Sequence, residues 1–226
     1  MIRMNTEEAA ATRLWPANAA GPVRRPAPAV LKDTGLAERL HFLASFLRRP
    51  ATVGSLTPSS LALGRAMVRG CSLREAKVVV ELGAGTGALT RLLLRRIGRN
   101  TKLIALELDE TSVHLLRRRF PRARIVHDSA ENLLDHLPAP RERQADCIVS
   151  GLPWGSMPQP TRERIMTALL RGLRPGGTFL AFAYLHATWF PSARDFRRQL
   201  HRHFSDVVTS PVIWRNLPPA IVYRCR

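Results

Sequence analysis

Short apolar runs alternate with amphipathic stretches along the chain beyond residue 60. Runs rich in β-branched residues predict strands; these lie at 77–82, 102–107, 124–127, 145–150, 178–184, 206–213 and 219–225. Apolar residues three and four positions apart predict helices; these lie at 60–70, 87–97, 111–119, 130–137, 160–172 and 192–203. This alternation predicts an α/β fold with a mainly parallel, seven-stranded sheet, helices on both faces and one antiparallel strand from a C-terminal hairpin.

The N-terminal part of the chain follows a different pattern. Residues 1–31 have no sustained period, and we expect them to form a flexible arm. Residues 35–49 place leucines on one side and arginines on the other, which predicts an amphipathic helix with a basic face. Such a helix either packs on the domain or lies on an anionic membrane. We therefore divide the chain into the arm, a region at 32–70 with this helix, a loop and a lid-like helix, and a main domain at 71–226.

The most informative segment is the turn after the first predicted strand. It reads Glu81-Leu-Gly-Ala-Gly-Thr-Gly87 and leads directly into a helical pattern. Glycines allow a tight turn and a close approach of a ligand, and the helix N-terminus offers free N–H groups. A dinucleotide fits the glycine spacing, and so does S-adenosylmethionine. The Glu81 carboxylate would repel a phosphate but suits an ammonium group, so it favours S-adenosylmethionine.

The ends of the next two strands supply further polar groups, as expected where an open α/β sheet binds its ligand. Glu107 ends the second strand and is predicted to accept both hydroxyls of a ribose, with Asp109 as the alternative or as a helix cap. Asp128 follows the third strand and is predicted to accept the adenine amino group, with Ser129 as the alternative, although Asp128 also suits a helix cap. The candidate cofactor-binding residues are Glu81, Gly83, Ala84, Gly85, Thr86, Gly87, Glu107, Leu108, Asp128, Ser129 and Ala130.

The fourth and fifth strands end at candidate catalytic residues. Ser150 ends the fourth strand and Gly151 follows it, where we expect the transferred group to meet its acceptor. Tyr184 ends the fifth strand and is predicted to orient an amine through its hydroxyl or its aromatic face. His186 also suits the acceptor side, and structural roles suit both residues equally. No residue type or spacing marks a dedicated general base or a metal site.

Charge and cysteine content narrow the partners and the location. The formal net charge is +18, and nearly all of the positive charge is arginine. A GC-rich genome explains the excess of arginine over lysine, but the scarcity of acids favours a polyanionic partner, either RNA or an acidic membrane. The chain has neither an apolar run long enough to span a membrane nor a signal-peptide pattern. Its three cysteines predict reduced thiols in a cytoplasmic protein, with Cys147 in the core.

Together these residues resemble the class I S-adenosylmethionine-dependent methyltransferases over residues 51–226. Four segments also resemble the bacterial phospholipid N-methyltransferases; they are 49–60, 150–153, 173–177 and 214–220. That resemblance implies a Rossmann-like sheet, S-adenosylmethionine as donor with S-adenosylhomocysteine as product, and an amino-headgroup lipid such as phosphatidylethanolamine as acceptor. It also implies that the helix at 35–49 binds the inner, cytoplasmic face of an anionic membrane.

Three alternatives stay open. The acceptor is a different one, such as a small amphiphilic metabolite, or the chain binds S-adenosylmethionine at a membrane without catalysis. The third is similarity to ribosomal RNA adenine dimethyltransferases, which share the glycine turn. Their fourth strand ends in Asn-(Leu/Ile)-Pro-(Tyr/Phe), whereas Gly151 stands in place of that Asn here, and no residues remain for a C-terminal RNA-binding domain. These two features disfavour a nucleic acid partner, and the oligomeric state is left open.

Overall fold

A computed structural model describes residues 58–139 and 144–226 of the chain. The predicted arm, the amphipathic helix at 35–49 and most of the loop after it lie outside the described residues. The first described element is helix α1, Pro58–Arg69, close to the predicted lid-like helix. Within the described ranges, no helix combines the length and the apolar character that crossing a membrane would require.

Strands and helices alternate after α1, as the apolar pattern predicts. The strands are β1 (Val78–Leu82), β2 (Lys102–Glu107), β3 (Ala123–His127), β4 (Ala145–Ser150), β5 (Leu173–Tyr184), β6 (Val207–Thr209) and β7 (Ala220–Cys225). The helices are α2 (Ala88–Leu94), α3 (Glu110–Arg119), α4 (Leu133–His136), α5 (Gln159–Gly172) and α6 (Pro191–His203). Short 3₁₀ helices span Ala130–Asn132 and Leu185–Trp189.

The strands form one seven-stranded sheet in the order β3-β2-β1-β4-β5-β7-β6. Strand β7 is antiparallel to both β5 and β6, whereas the other neighbours are parallel. The predicted fold class is therefore confirmed. The chain runs outward in opposite directions from β1 and β4, so the strand order reverses between them. Ligands of open α/β sheets bind beyond the carboxyl ends of the strands at such a reversal.

The sheet is buried on both faces. All five residues of β1 are buried, with Val78, Val80 and Leu82 in one apolar layer and Val79 in the other. The first layer includes side chains of α5 and α6, and the second those of α1, α2 and α3. Because parallel strands covered on both faces read as continuous apolar runs, their positions were predictable from the sequence.

Two strand boundaries differ from the prediction by four or more residues. The segment 174–177, expected as a turn before the fifth strand, belongs to β5, with a register shift opposite β4 and a positive φ at Gly176. The sixth strand, expected to reach residue 213, ends at Thr209. Pro211 has no N–H to donate to the ladder, and only Ile213 makes an isolated bridge to Ala220.

The cysteines also differ from the prediction. Cys71 and Cys147 are paired as a disulfide, with their Cα atoms 6.7 Å apart, and the third cysteine, Cys225, is a buried free thiol. The expectation of three reduced thiols is therefore corrected, although Cys147 does lie in the core. The two paired residues are 76 positions apart in the sequence, so only the fold brings them together.

Candidate active site

The glycine turn after β1 has left-handed backbone at three positions. The φ angles are 75° at Gly83, 51° at Gly85 and 76° at Gly87. A Cβ atom at Gly83 would lie 2.8 Å from Leu152 Cδ2, and one at Gly87 would collide with the Phe120 ring. No atom lies within 4 Å of a Cβ built at Gly85. The outer glycines are thus required by packing, and Gly85 leaves open space for a ligand against the backbone.

The ends of β1 and β4 touch at this turn. The N–H of Gly151 donates to the carbonyl of Leu82 at 2.8 Å. A Cβ atom at Gly151 would lie only 2.6 Å from the carbonyl oxygen of Gly83. Gly151 is therefore placed beside the predicted cofactor turn, and any side chain there would push the two strand ends apart.

Glu107 joins the end of β2 to the glycine turn. Its Oε2 accepts the N–H of Gly85 at 2.7 Å, and its Oε1 accepts the N–H groups of Leu108 at 2.9 Å and Asp109 at 3.0 Å. Each carboxylate oxygen has two acceptor positions, so Oε2 retains one for a hydroxyl. The ribose contact stays a prediction. Asp109 is a helix cap, since its side chain accepts the N–H of Ser112 at 2.7 Å.

Glu81 is a fully buried carboxyl behind the turn. Its Oε2 accepts the Thr90 hydroxyl at 2.7 Å, and its Oε1 has no hydrogen-bond partner within the described parts of the chain. Burial raises the pKa of Glu81 to about 8; the Thr90 hydrogen bond opposes this shift and the charge of Glu107 adds to it. A buried acceptor without a donor is costly, so the site favours a ligand that brings an N–H or a positive charge.

Thr90 is a residue of the candidate site that the sequence interpretation missed. It is buried in α2, and its hydroxyl orients the predicted ammonium acceptor Glu81. A polar residue on the face of the helix that packs on the first strand was the available signal, because such a position is normally apolar.

Asp128 is held by its own loop at the end of β3. Its Oδ1 accepts the N–H of Ser129 at 2.6 Å and the Asn132 side-chain amide at 2.7 Å, and its Oδ2 lies 2.7 Å from His136 Nε2. Burial works to raise the pKa of Asp128, but the hydrogen bonds from His136, Asn132 and Ser129 outweigh it and lower the pKa. Ser129 caps the 3₁₀ helix that begins at the buried Ala130. An adenine contact by Asp128 stays a prediction.

Ser150 is buried and orients an aromatic side chain. Its Oγ accepts the indole N–H of Trp154 at 2.8 Å and the N–H of Leu152 at 3.2 Å. The Trp154 ring stacks on Phe196 of α6, with centroids 4.8 Å apart. These contacts give Ser150 a positioning role in the loop after β4, and a direct contact of its side chain with a substrate stays a prediction.

Tyr184 ends β5 at the same edge of the sheet. Its half-buried ring stacks on His186 with centroids 5.8 Å apart and meets Phe182 edge-on at 5.4 Å. The structure therefore brings Tyr184 and His186 together beside the β4 loop, two strands from the glycine turn. Its role with an amine stays a prediction.

Comparisons with known proteins agree with this architecture. Residues 79–177 match the family described as a methyltransferase domain. The ornithine lipid N-methyltransferase of Singulisphaera acidiphila is 36% identical over 188 residues, which cover 82% of this chain and 94% of that protein. A short stretch of 45 residues is 53% identical to the ribosomal RNA small subunit methyltransferase A of Salinibacter ruber, covering 20% of this chain and 14% of that one.

The fold is also similar to a solved methyltransferase. The 1,6-didemethyltoxoflavin-N1-methyltransferase of Burkholderia thailandensis, whose structure holds S-adenosylhomocysteine, matches with a TM-score of 0.56 and 18% identity. That match covers 88% of this chain and 94% of the other. The glycine turn, the sheet order and the similarity along most of a lipid N-methyltransferase confirm the predicted resemblance. The chain belongs to the class I S-adenosylmethionine-dependent methyltransferases, in the family that includes the bacterial lipid N-methyltransferases.

Proposed function

We propose that this enzyme methylates the amine of an amino-headgroup lipid, such as phosphatidylethanolamine or an ornithine lipid, at an anionic membrane surface. The observation that carries this proposal is the 36% identity along 94% of an ornithine lipid N-methyltransferase. The net charge of +18 supports the anionic surface, because a basic protein is attracted to acidic lipid. The predicted helix at 35–49 is the proposed N-terminal membrane contact.

The buried groups around the glycine turn fit S-adenosylmethionine. The open space beside Gly85 admits the ligand to the backbone, and the remaining acceptor position of Glu107 Oε2 suits a ribose hydroxyl. The unpaired Oε1 of Glu81 suits the α-ammonium group. When bound, the sulfonium supplies a methyl group that is already activated for displacement.

The protein's own contribution is therefore mainly positioning. Holding an acceptor nitrogen in line with a donor converts a bimolecular reaction into an effectively intramolecular one. Trp154, held by Ser150 and Phe196, shapes the loop on the acceptor side of Gly151. We propose that Tyr184 orients the amine, since an aromatic face also tolerates the positive charge that accumulates with each methylation.

Ribosomal RNA adenine methylation is the second candidate, favoured by the short match to a ribosomal RNA methyltransferase. Two contacts weigh against it. A side chain at Gly151, where those enzymes have Asn, would collide with the Gly83 carbonyl. The aromatic residue three positions later, Trp154, is buried against Phe196 and Phe179 instead of being free to stack on a base.

An acceptor assay separates these candidates. The full-length enzyme is incubated with methyl-labelled S-adenosylmethionine and, in parallel, bacterial lipid, ribosomal RNA or small water-soluble amines. We expect label in the lipid fraction, with mass spectrometry locating the added methyl groups on the headgroup nitrogen. The matched negative control is Gly85→Val, whose side chain fills the space beside the turn and is expected to abolish labelling of every acceptor. Label confined to RNA, or to the small amines, would overturn the proposal.

A further inference from the structure

Large apolar side chains are exposed at one edge of the molecule. Leu217 is 84% exposed, Trp189 80%, Trp214 71% and Phe190 55%. They lie in two segments, the one that follows β5 and the one that precedes β7. We call these four side chains the apolar rim. Monomeric proteins seldom expose several large apolar side chains together unless they contact a partner or a membrane.

The two segments start from the same end of the sheet. Tyr184 of β5 pairs with Ala220 of β7, and just beyond them the N–H of Leu185 donates to the carbonyl of Pro219 at 2.8 Å. This is the carboxyl end of β5, the edge that holds the candidate site. The hydroxyl of Ser192, just after the first segment, donates to the carbonyl of Gly155 in the loop that follows β4. The apolar rim therefore lies beside the acceptor side of the site.

The loop before β7 is built to present its apolar side chains outward. Asn216 is buried; its N–H donates to Ile213 at 3.0 Å and its side-chain amide donates to the carbonyl of Pro218 at 2.6 Å. Because these hydrogen bonds hold Asn216 inside the loop, its neighbours Trp214, Arg215 and Leu217 are all exposed. Their exposure follows from an ordered loop, so it is a property of the folded structure.

Positive charge accompanies the apolar rim. Residues 184–219 contain five arginines and two acids. Arg194, Arg198 and Arg215 are exposed, and one of the acids, Asp195, is paired with Arg198. Tryptophan with arginine is the combination found where a protein meets the headgroup layer of a bilayer, because the indole is amphipathic and the guanidinium binds phosphate.

We propose that the apolar rim is a membrane-docking surface that seats the carboxyl edge of the sheet on an anionic bilayer. This inference rests on the proposed function, because docking would bring a lipid substrate to the site. Trp189, Trp214 and Leu217 enter the interfacial layer, and Arg215 contacts lipid phosphates. A lipid amine then reaches the site without its acyl chains leaving the membrane.

Two other occupants are tested beside the bilayer. Leu217, the most exposed member of the apolar rim, cannot stack on a nucleic acid base, but its three aromatic members can, so RNA binding is measured as a competing outcome. A second copy of the chain would bring two proteins of formal charge +18 together across a basic surface. An anionic bilayer satisfies both the apolar and the charged groups.

Vesicle binding by full-length variants tests the proposal. The double variant Trp214→Ser/Leu217→Ser is compared with wild type by flotation on phosphatidylglycerol-containing and pure phosphatidylcholine vesicles. We expect it to lose at least about tenfold in affinity for the anionic vesicles. Arg215→Gln is expected to lose about fivefold on anionic vesicles only. The matched control is Leu115→Ser, on the exposed face of α3, which removes an apolar side chain that is 57% exposed and leaves vesicle affinity unchanged.

Three results would overturn the docking surface. One is a double variant that folds normally, by its thermal transition, and binds vesicles as wild type does. Another is an equal loss of affinity in Leu115→Ser. The third is a change in self-association or RNA binding in the double variant while vesicle affinity stays constant.

Activity measurements keep this test separate from the substrate proposal. A short-chain, water-soluble amino lipid is assayed beside the same headgroup in vesicles. We expect the double variant to methylate the soluble acceptor at the wild-type rate and the vesicle acceptor more slowly. Failure of wild type on both acceptors would sink the substrate proposal, whereas equal loss on both acceptors in the double variant would sink the docking surface.

Discussion

The two sides of the site are built in opposite ways. On the cofactor side, at the carboxyl ends of β1, β2 and β3, polar groups are buried and mostly paired: Glu107 accepts three backbone N–H groups and Thr90 donates to Glu81. On the proposed acceptor side, beyond β4 and β5, Trp189 and Trp214 are exposed among arginines. A donor of one fixed shape suits a prearranged polar site, whereas an acceptor delivered from a membrane suits an open, apolar and basic edge.

Gly151 lies where the two sides touch, and we expect a substitution there to have the largest effect on stability and turnover. Gly151→Asn places a side chain against the carbonyl of Gly83 and should displace the glycine turn. We expect a loss of about 2–3 kcal/mol in the free energy of unfolding and roughly a hundredfold in turnover. Denaturant unfolding and steady-state kinetics measure both. Gly155→Ala is the control, since its Cβ would lie 3.3 Å from Ala193; equal stability of the two variants would contradict the prediction.

Glu81→Gln keeps the shape of the side chain and prevents it from ionising when the ammonium group of the cofactor binds. We expect the affinity for S-adenosylmethionine to fall about tenfold, since a charge-assisted hydrogen bond becomes neutral. Isothermal titration calorimetry on both proteins measures this loss. An unchanged affinity would show that the ammonium group is bound elsewhere.

The same variant changes how stability depends on pH. The pKa of Glu81 is about 8 in the folded protein against an ordinary value of 4.5, so over that range the folded state binds a proton that the unfolded state has lost. The free energy of unfolding therefore falls as the pH rises from about 4.5 to about 8. Glu81→Gln should remove that decline, which denaturant titrations across the range would detect. A parallel decline in the variant would refute the assignment.

Tyr184 tests the acceptor side with a smaller expected effect. Tyr184→Ala should lower kcat about fivefold to tenfold, because the aromatic face beside the amine is lost. Tyr184→Phe removes only the hydroxyl and keeps that face, so it distinguishes the contribution of the ring from that of the hydroxyl. The KM for S-adenosylmethionine should stay constant in both, which separates an acceptor role from damage to the cofactor side. If both variants turned over like wild type, the proposed role would be abandoned.

Asp128→Asn should have the smallest effect. We expect a loss of about 1 kcal/mol in stability at neutral pH, where the carboxylate accepts its three hydrogen bonds. Because the folded pKa is lowered, this stabilisation is present above the ordinary pKa of 3.8 and is lost as the pH falls through the folded pKa. The predicted adenine contact is tested by measuring how much Asp128→Asn weakens the binding of S-adenosylmethionine and of an analogue that lacks the adenine amino group. Equal weakening for the two ligands would contradict the adenine contact.

The glycine turn and the strand ends around it were largely predictable because their signal is local. The glycine turn, Glu107 and the order of strands and helices all appear within single βα units, where spacing in sequence translates into spacing in the fold. The structural role of Glu107 was not expected: its side chain holds the turn through the N–H of Gly85. That contact joins two strand ends that are adjacent in the sheet and distant in the chain.

The acceptor side was less predictable because distant segments build it. Ser150 was expected to border the reaction, but its hydroxyl accepts the Trp154 indole N–H, whose ring stacks on α6. The bond between Thr90 and Glu81 and the pairing of Cys71 with Cys147 likewise depend on how layers pack.

By itself the sequence determined the α/β class, the methyl donor and the family, because periodicity and short motifs encode local backbone geometry. The tertiary structure decided which of those residues are buried and why position 151 requires glycine. It also decided that Glu81 Oε1 has no hydrogen-bond partner among the residues 58–139 and 144–226. It further decided that Trp189, which follows β5, and Trp214, which precedes β7, are exposed at the same end of the sheet. Burial and exposure depend on contacts between segments far apart in the chain, and no local pattern specifies those contacts.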